Sequence, residues 1–141
     1  VIQTDEQDRN TRVVLKFLEV MDRKQFDQVD AMMAPDMQLH FSGLHFDRAG
    51  AMGVVVSSYE SFSDLRHDVI ETIAAGDRVV VRATLRGTHT GLFEGLAPTG
   101  RTIEVGQIVI MRVAGNQIAE IHEEVDGMVV MQQLGALPAP R

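Results

Sequence analysis

Between Leu65 and Asp126 four long stretches alternate apolar and polar residues at the two-residue period of a β-strand: Leu65 to Ile73, Arg78 to His89, Thr102 to Val113 and Gln117 to Asp126. Three breaks separate them, two of them short. These are Ala75-Gly76-Asp77, a Gly/Pro-rich connection, and Ala114-Gly115-Asn116, whose Gly115-Asn116 pair is a tight hairpin signal. Long strands in succession joined by short turns pair antiparallel, because a parallel pair needs a crossover of about a dozen residues or more. This half of the chain is therefore committed to an antiparallel sheet, and the remainder must cover it.

Ahead of Leu65 the period changes. Val13, Val14, Phe17, Leu18, Val20 and Met21 recur at helical spacing from Glu6 to Met21, behind the acidic start Asp5, Glu6 and Asp8. Phe26, Val29 and Met32 mark a second helix over Gln25 to Met33, which Pro35 is expected to stop. Met37, Leu39 and Phe41 alternate as a short strand closed by Gly43, and Met52, Val55, Val56, Tyr59 and Phe62 stripe a third helix starting near Asp47. A fourth, short helix runs from Gly127 to Leu134, and the tail from Pro138 to Arg141 reads as loose. The fold class is α+β, with helices on one face of a curved antiparallel sheet.

The strand faces carry a further expectation. Val79, Val81, Ala83 and Leu85 share one side of their strand, with Arg82, Thr84 and Arg86 on the other. On the next strand Val105, Val109 and Met111 oppose Ile108, Ile110 and Arg112, so both faces are apolar in the middle. The second face predicts a homodimer through the sheet, the alternative being cover from the same chain.

At 141 residues the chain has the length of one domain with one core, taken as 1–141. Its formal charge of −7 and its scattered basic residues argue against nucleic acid and anionic membrane surfaces. No apolar run approaches the roughly 18 residues of a membrane span, and the polar, acidic start is unlike a secretory signal, so a cytoplasmic protein is expected. The absence of cysteine removes disulfides, thiolate metal sites and a thiol nucleophile, and Lys16 and Lys24 are the only lysines for Schiff-base chemistry.

The last strand is the least core-like. Glu120, His122, Glu124 and Asp126 share one parity, opposite Ala119, Ile121 and Val125; they form a solvated edge or the floor of a pocket, and periodicity does not choose. Asp126 also precedes a helix, where Asp is a preferred N-cap. His40, His67, His89 and His122 show no metal-site spacing along the chain, so no metal is expected. Nucleotide-binding and serine-hydrolase motifs are absent from the sequence.

Leu15-Lys16-Phe17-Leu18-Glu19, Ala34-Pro35-Asp36 followed by His40, Phe62-Ser63-Asp64-Leu65-Arg66 and Ala75-Gly76-Asp77-Arg78-Val79 occur in order. Arg86-Gly87-Thr88-His89-Thr90-Gly91, Pro98-Thr99-Gly100-Arg101, Arg112, and Asp126 followed by Gln132-Gln133-Leu134-Gly135 continue the series. Over about 11–135 this ordered set resembles the SnoaL-like polyketide cyclase family. The resemblance implies the cone-shaped nuclear transport factor 2-like fold: helices packed in a strongly curved antiparallel sheet, with a pocket inside the cone. It also implies an acid/base aspartate at Asp126, closing a polyketide ring by intramolecular aldol condensation of a hydrophobic methyl ester without metal or cofactor. His40, His67, Gln107 and His122 are then candidates to stabilise charge or orient the substrate, and Tyr59, the only tyrosine, joins the substrate-binding set. Where the family commonly has Glu-His-Trp, this chain has Glu120-Ile121-His122. Two other readings stand beside this one. One is a different reaction of the same fold, isomerase or epoxide hydrolase; the other is a non-catalytic small-molecule-binding or interaction domain in which Asp126 is only a cap.

Overall fold

The computed structural model of the chain describes residues 4–138; the expected loose tail lies mostly outside them. Helix α1, Asp5–Asp22, starts at a capping box in which Thr4 and Gln7 exchange side-chain-to-backbone hydrogen bonds, and it buries Val14, Phe17, Leu18 and Met21. Helix α2 is Phe26–Met32, strand β1 Met33–Phe41, strand β2 Leu44–Phe46 and helix α3 Arg48–Ser61. Strands β3, Arg66–Ala75, β4, Arg78–Thr88, β5, Thr102–Ala114, and β6, Gln117–Val125, follow, and helix α4, Gly127–Gln133, comes last. Among the described residues no helix is long and apolar enough to cross a membrane.

The strands form one six-stranded sheet in the order β2-β1-β6-β5-β4-β3. All neighbours are antiparallel except β1 and β6, which run parallel. The expected antiparallel sheet thus carries one parallel pair, made possible because the rest of the fold serves as the crossover. Pro35 does not stop α2 as expected. The helix has already ended at Met32 and Pro35 lies inside β1, within the register irregularity between Met33 and Gln38. A proline holds its preceding residue extended, so its influence reaches back into Ala34, and the irregular pairing tolerates its missing N–H. Strand β2 follows from the Ser42-Gly43 turn, both residues at positive φ as a two-residue hairpin of matching twist requires.

Burial alternates cleanly along β4 and β5. Val79, Val81, Ala83 and Leu85 are buried on β4, as are Ile103, Val105, Val109 and Met111 on β5, all facing the helices. An extra residue at Ile70 shifts the register of β3 against β4 and bends that edge, which helps the sheet wrap around α1 and α3. The outer face stays open. Ile108 is 44% exposed and Ile73 56%, so no segment of the described chain covers them.

Candidate functional site

Inside the wrapped sheet lies a cavity of about 150 Å³. Its wall is almost wholly apolar, built from α1 (Phe17, Met21), α3 (Val54, Val55) and the inward residues of the strands. The polar side chains that reach it are few: Ser58, Tyr59, His67, Gln107 and Glu123. An apolar chamber with a small number of convergent polar groups is the usual form of a small-molecule site.

Glu123 projects from the inward parity of β6, between Ile121 and Val125. Burial pushes its carboxyl above the ordinary glutamate range, and the neighbouring Glu124 charge adds to this; the Gln107 hydrogen bond and the His67 charge oppose it without cancelling it. Gln107 is held on β5, 3% exposed, and its Nε2 donates to Glu123 Oε2 at 2.5 Å. The other end of that amide, Oε1, is buried and has no hydrogen-bond partner among the described residues. A buried carbonyl left without a donor costs about 1–3 kcal/mol, so this atom is a ready acceptor for a ligand hydroxyl.

A second group joins three elements. Asp22, the last residue of α1, takes the Tyr59 hydroxyl at 2.6 Å and His67 Nδ1 at 2.7 Å on Oδ1, and the His67 backbone N–H at 2.9 Å on Oδ2. Burial works against the Asp22 charge, but these donors and the His67 charge outweigh it and hold the carboxyl below the usual aspartate range. Tyr59 is pushed strongly upward by burial and by Asp22, so its phenol stays protonated and committed to that carboxylate. Because a carboxylate only accepts, His67 presents Nδ1–H to it, which leaves Nε2 as the ring nitrogen not committed to Asp22. The His67 side chain is 7% exposed and faces the cavity.

The residues singled out in the sequence separate into two groups. His67, Gln107 and Tyr59 come together in the cavity wall. His40 and His122 stand on the outer face of the sheet, stacked on each other and away from the cavity. Asp126 is exposed at the start of α4, where Oδ1 accepts from the backbone N–H groups of Met128 and Val129 at 3.1 and 3.2 Å as an N-cap. It does not line the cavity. The even-numbered residues Glu120, His122 and Glu124 turn outward, and the pocket carboxylate is their odd-numbered neighbour Glu123. A lone acid in the inward parity of an apolar strand face was the signal for it, since buried carboxylates are rare without a task.

The glycines of the Arg86-Gly87-Thr88-His89-Thr90-Gly91 run have a packing role beside the chamber. A Cβ on Gly91 would sit 2.0 Å from the Glu60 carbonyl oxygen, and one on Gly87 would press on Phe62 at 3.2 Å. His89 is fully buried; its Nδ1 meets the Thr99 hydroxyl at 3.0 Å and backbone N–H at 3.1 Å, and so closes the loop that carries Phe93 to the cavity wall.

Comparison with known proteins gives a consistent result. The family model of the SnoaL-like polyketide cyclases matches residues 11–134. Among solved structures, a candidate SnoaL-like polyketide cyclase from Jannaschia sp. CCS1 superposes with a TM-score of 0.89 at 24% identity, covering 98% of this chain and 99% of that one. IdmH, a candidate polyketide cyclase from Streptomyces antibioticus, gives 0.80 at 27% identity over 89% and 98%. AclR, a candidate hydroxylase from Streptomyces galilaeus, gives 0.88 at 21% identity over 96% and 86%. A search of the curated proteins finds no match.

Proposed function

The chain belongs to the SnoaL-like polyketide cyclase family, and we propose that it closes a ring in a hydrophobic polyketide-like ester, with Glu123 as the group that moves the proton. The observation that carries this reading is a carboxyl of raised pKa aimed into an apolar chamber. A carbon between two carbonyls is acidic enough for a carboxylate base, and a base made stronger by burial suits the task. Glu123 takes that proton, the enolate carbon attacks a second carbonyl of the same chain to form the ring bond, and Glu123 returns the proton to the new alkoxide. A carbon–carbon bond forms as the carbonyl π bond opens, the proton taken from carbon ends on oxygen, and nothing is oxidised or reduced, so the step calls for no redox cofactor. The chamber holds the two carbons in reach, which supplies the entropic part of the acceleration.

His67 supports the same chemistry from β3. Oriented by Asp22, it offers Nε2 as a second proton carrier and, when protonated, a positive charge beside the enolate. Gln107 Oε1 accepts a hydroxyl, such as the enol of a β-dicarbonyl, and fixes which carbonyl faces Glu123. Asp126 serves α4 as its cap. The β3–β5 part of the outer face we assign to a second copy of the chain. Exposed Ile108 and Ile73 lie on it with Arg82 and Glu71, residues of both signs, so the surface is able to complement itself.

The test is a comparison of Glu123→Gln and Asp126→Asn in ring closure of aromatic polyketide β-keto esters, followed by absorbance and product mass. Glu123→Gln should lose about 100-fold or more of the rate. Asp126→Asn should stay within a few-fold of wild type, because Asn is an equally good cap. The reverse ranking rejects the assignment of Glu123. Ligands that raise the thermal midpoint of wild type with no turnover of any ester favour the binding-domain reading instead.

A further inference from the structure

Three adjacent strands place a histidine in one row across the outer face of the sheet: His45 on β2 pairs with His40 on β1, and His40 with His122 on β6. The rings stack. His40 and His122 have centroids 4.3 Å apart and planes 5° from parallel, and His45 covers the other side of His40 at 4.8 Å. Glu120, on the same face of β6, brings one carboxylate to both neighbours. His122 Nε2 lies 3.4 Å from Oε1 and His40 Nε2 lies 3.9 Å from Oε2.

We propose that His40, Glu120 and His122 bind a divalent transition-metal ion of the zinc class, with water completing its coordination. The donor atoms all lie within 4.8 Å of one another. His122 and Arg78 are within ion-pair reach of Glu120, whereas His40 at 3.9 Å is too far for a hydrogen bond, so its approach to the same carboxylate is not explained by hydrogen bonding. Ligand atoms held ~2.0–2.2 Å from one tetrahedral ion are roughly 3.4 Å apart, so binding requires the two stacked rings to tilt toward each other at their Nε2 edges and the donors to close up from their present spacing of up to 4.8 Å. Two imidazoles and a carboxylate suit zinc, cobalt or nickel; magnesium and calcium prefer all-oxygen surroundings.

The neighbours fit the assignment. Arg78 Nη1 holds Glu120 Oε1 at 3.2 Å, which orients the carboxylate and leaves Oε2 for the ion. Gln38 hydrogen-bonds the His45 ring, and that ring backs His40. His40 and His122 are 41% and 46% exposed, so an ion reaches them without any opening of the fold. Bound there, it ties β1 to β6, the one parallel pair of the sheet. The expectation of no metal rested on spacing within single elements, whereas these ligands come from two strands in register. The sheet separates this site from the cone, so the assignment is independent of the cyclase chemistry.

The experiment is a Co²⁺ titration of chelator-treated protein, read by visible absorption, with Zn²⁺ as the competitor. One equivalent per chain should saturate the site, and Zn²⁺ should raise the thermal midpoint by mass action. His122→Gln and Glu120→Gln should each weaken binding at least tenfold, while His67→Gln leaves it unchanged. Thermal midpoints without metal establish that the variants are folded, and His40→Gln replaces any that is not. Absence of saturable uptake, or uptake that the ligand substitutions leave within twofold, overturns the proposal.

Discussion

Two carboxylates of opposite character act on His67, Glu123 in the chamber wall and Asp22 outside it, and each dictates its own pH behaviour. The Asp22 carboxyl lies below its ordinary value of 3.8, so its contribution to stability is complete above that pH and is lost as pH falls through the lower folded value. Asp22→Ala leaves the Tyr59 hydroxyl and the His67 ring nitrogen without their acceptor, and should cost about 2–3 kcal/mol at pH 7. In urea unfolding the gap between wild type and variant should narrow below pH 3.8. Glu123 runs the other way. Its folded value lies above the ordinary 4.5, so between these two values the folded state holds the proton the unfolded state has lost, and stability falls as pH rises. Gln107, His67 and Glu124 are the polar and charged groups acting on it, and Glu123 in turn acts on Tyr59. Glu123→Gln should therefore melt higher than wild type at pH 8 and level with it below pH 4.5, even as activity is lost. At this scale the sequence was only partly legible. The cap position of Asp126 could be read from the helix behind it, but Asp22 and His67 are 45 residues apart, and their contact exists only once α1 lies across β3.

Elements announced themselves where one period ran long enough to be unambiguous. β4 and β5 show the expected two faces because every second residue packs on the helices. β2 escaped notice since three residues are too few for any period, and its only signature was the Ser42-Gly43 turn. The parallel course of β1 had no local signal at all, because strand direction is decided by where β6 ends up. Glycine behaviour separates in the same manner. Gly91→Ala drives a methyl group to 2.0 Å from the Glu60 carbonyl oxygen and should destabilise by about 2 kcal/mol or more. Gly106→Ala, in the middle of β5 with nothing within 4 Å of its Cβ, should leave stability unchanged or raise it by up to ~1 kcal/mol. Chemical denaturation of the pair reads both, and equal losses would remove the steric account of the Gly91 position.

The whole molecule is a cone with an apolar interior and an open back, and its family was legible because short motifs occur in a fixed order over nearly the whole chain. The proposed pairing of two copies through that back is tested at Ile108. A buried charge at a self-complementary apolar contact disrupts it, so Ile108→Glu should convert a dimer into a species of 15.6 kDa in sedimentation without altering the far-UV spectrum. A wild type that sediments at 15.6 kDa rejects the assembly outright. The parallel β1–β6 pair also bears on how the cone is born. Ser42 at the end of β1 bonds Glu124 across 82 residues of sequence, and Met33 already pairs with Ile118. During synthesis the first helices and β1 leave the ribosome long before their partner strand exists, and closing so long a loop carries an entropic cost that local contacts do not repay. The first helices and β1 must wait, half-docked, for β6, so the chamber acquires its walls and its carboxylate in one closing event once that strand has been made.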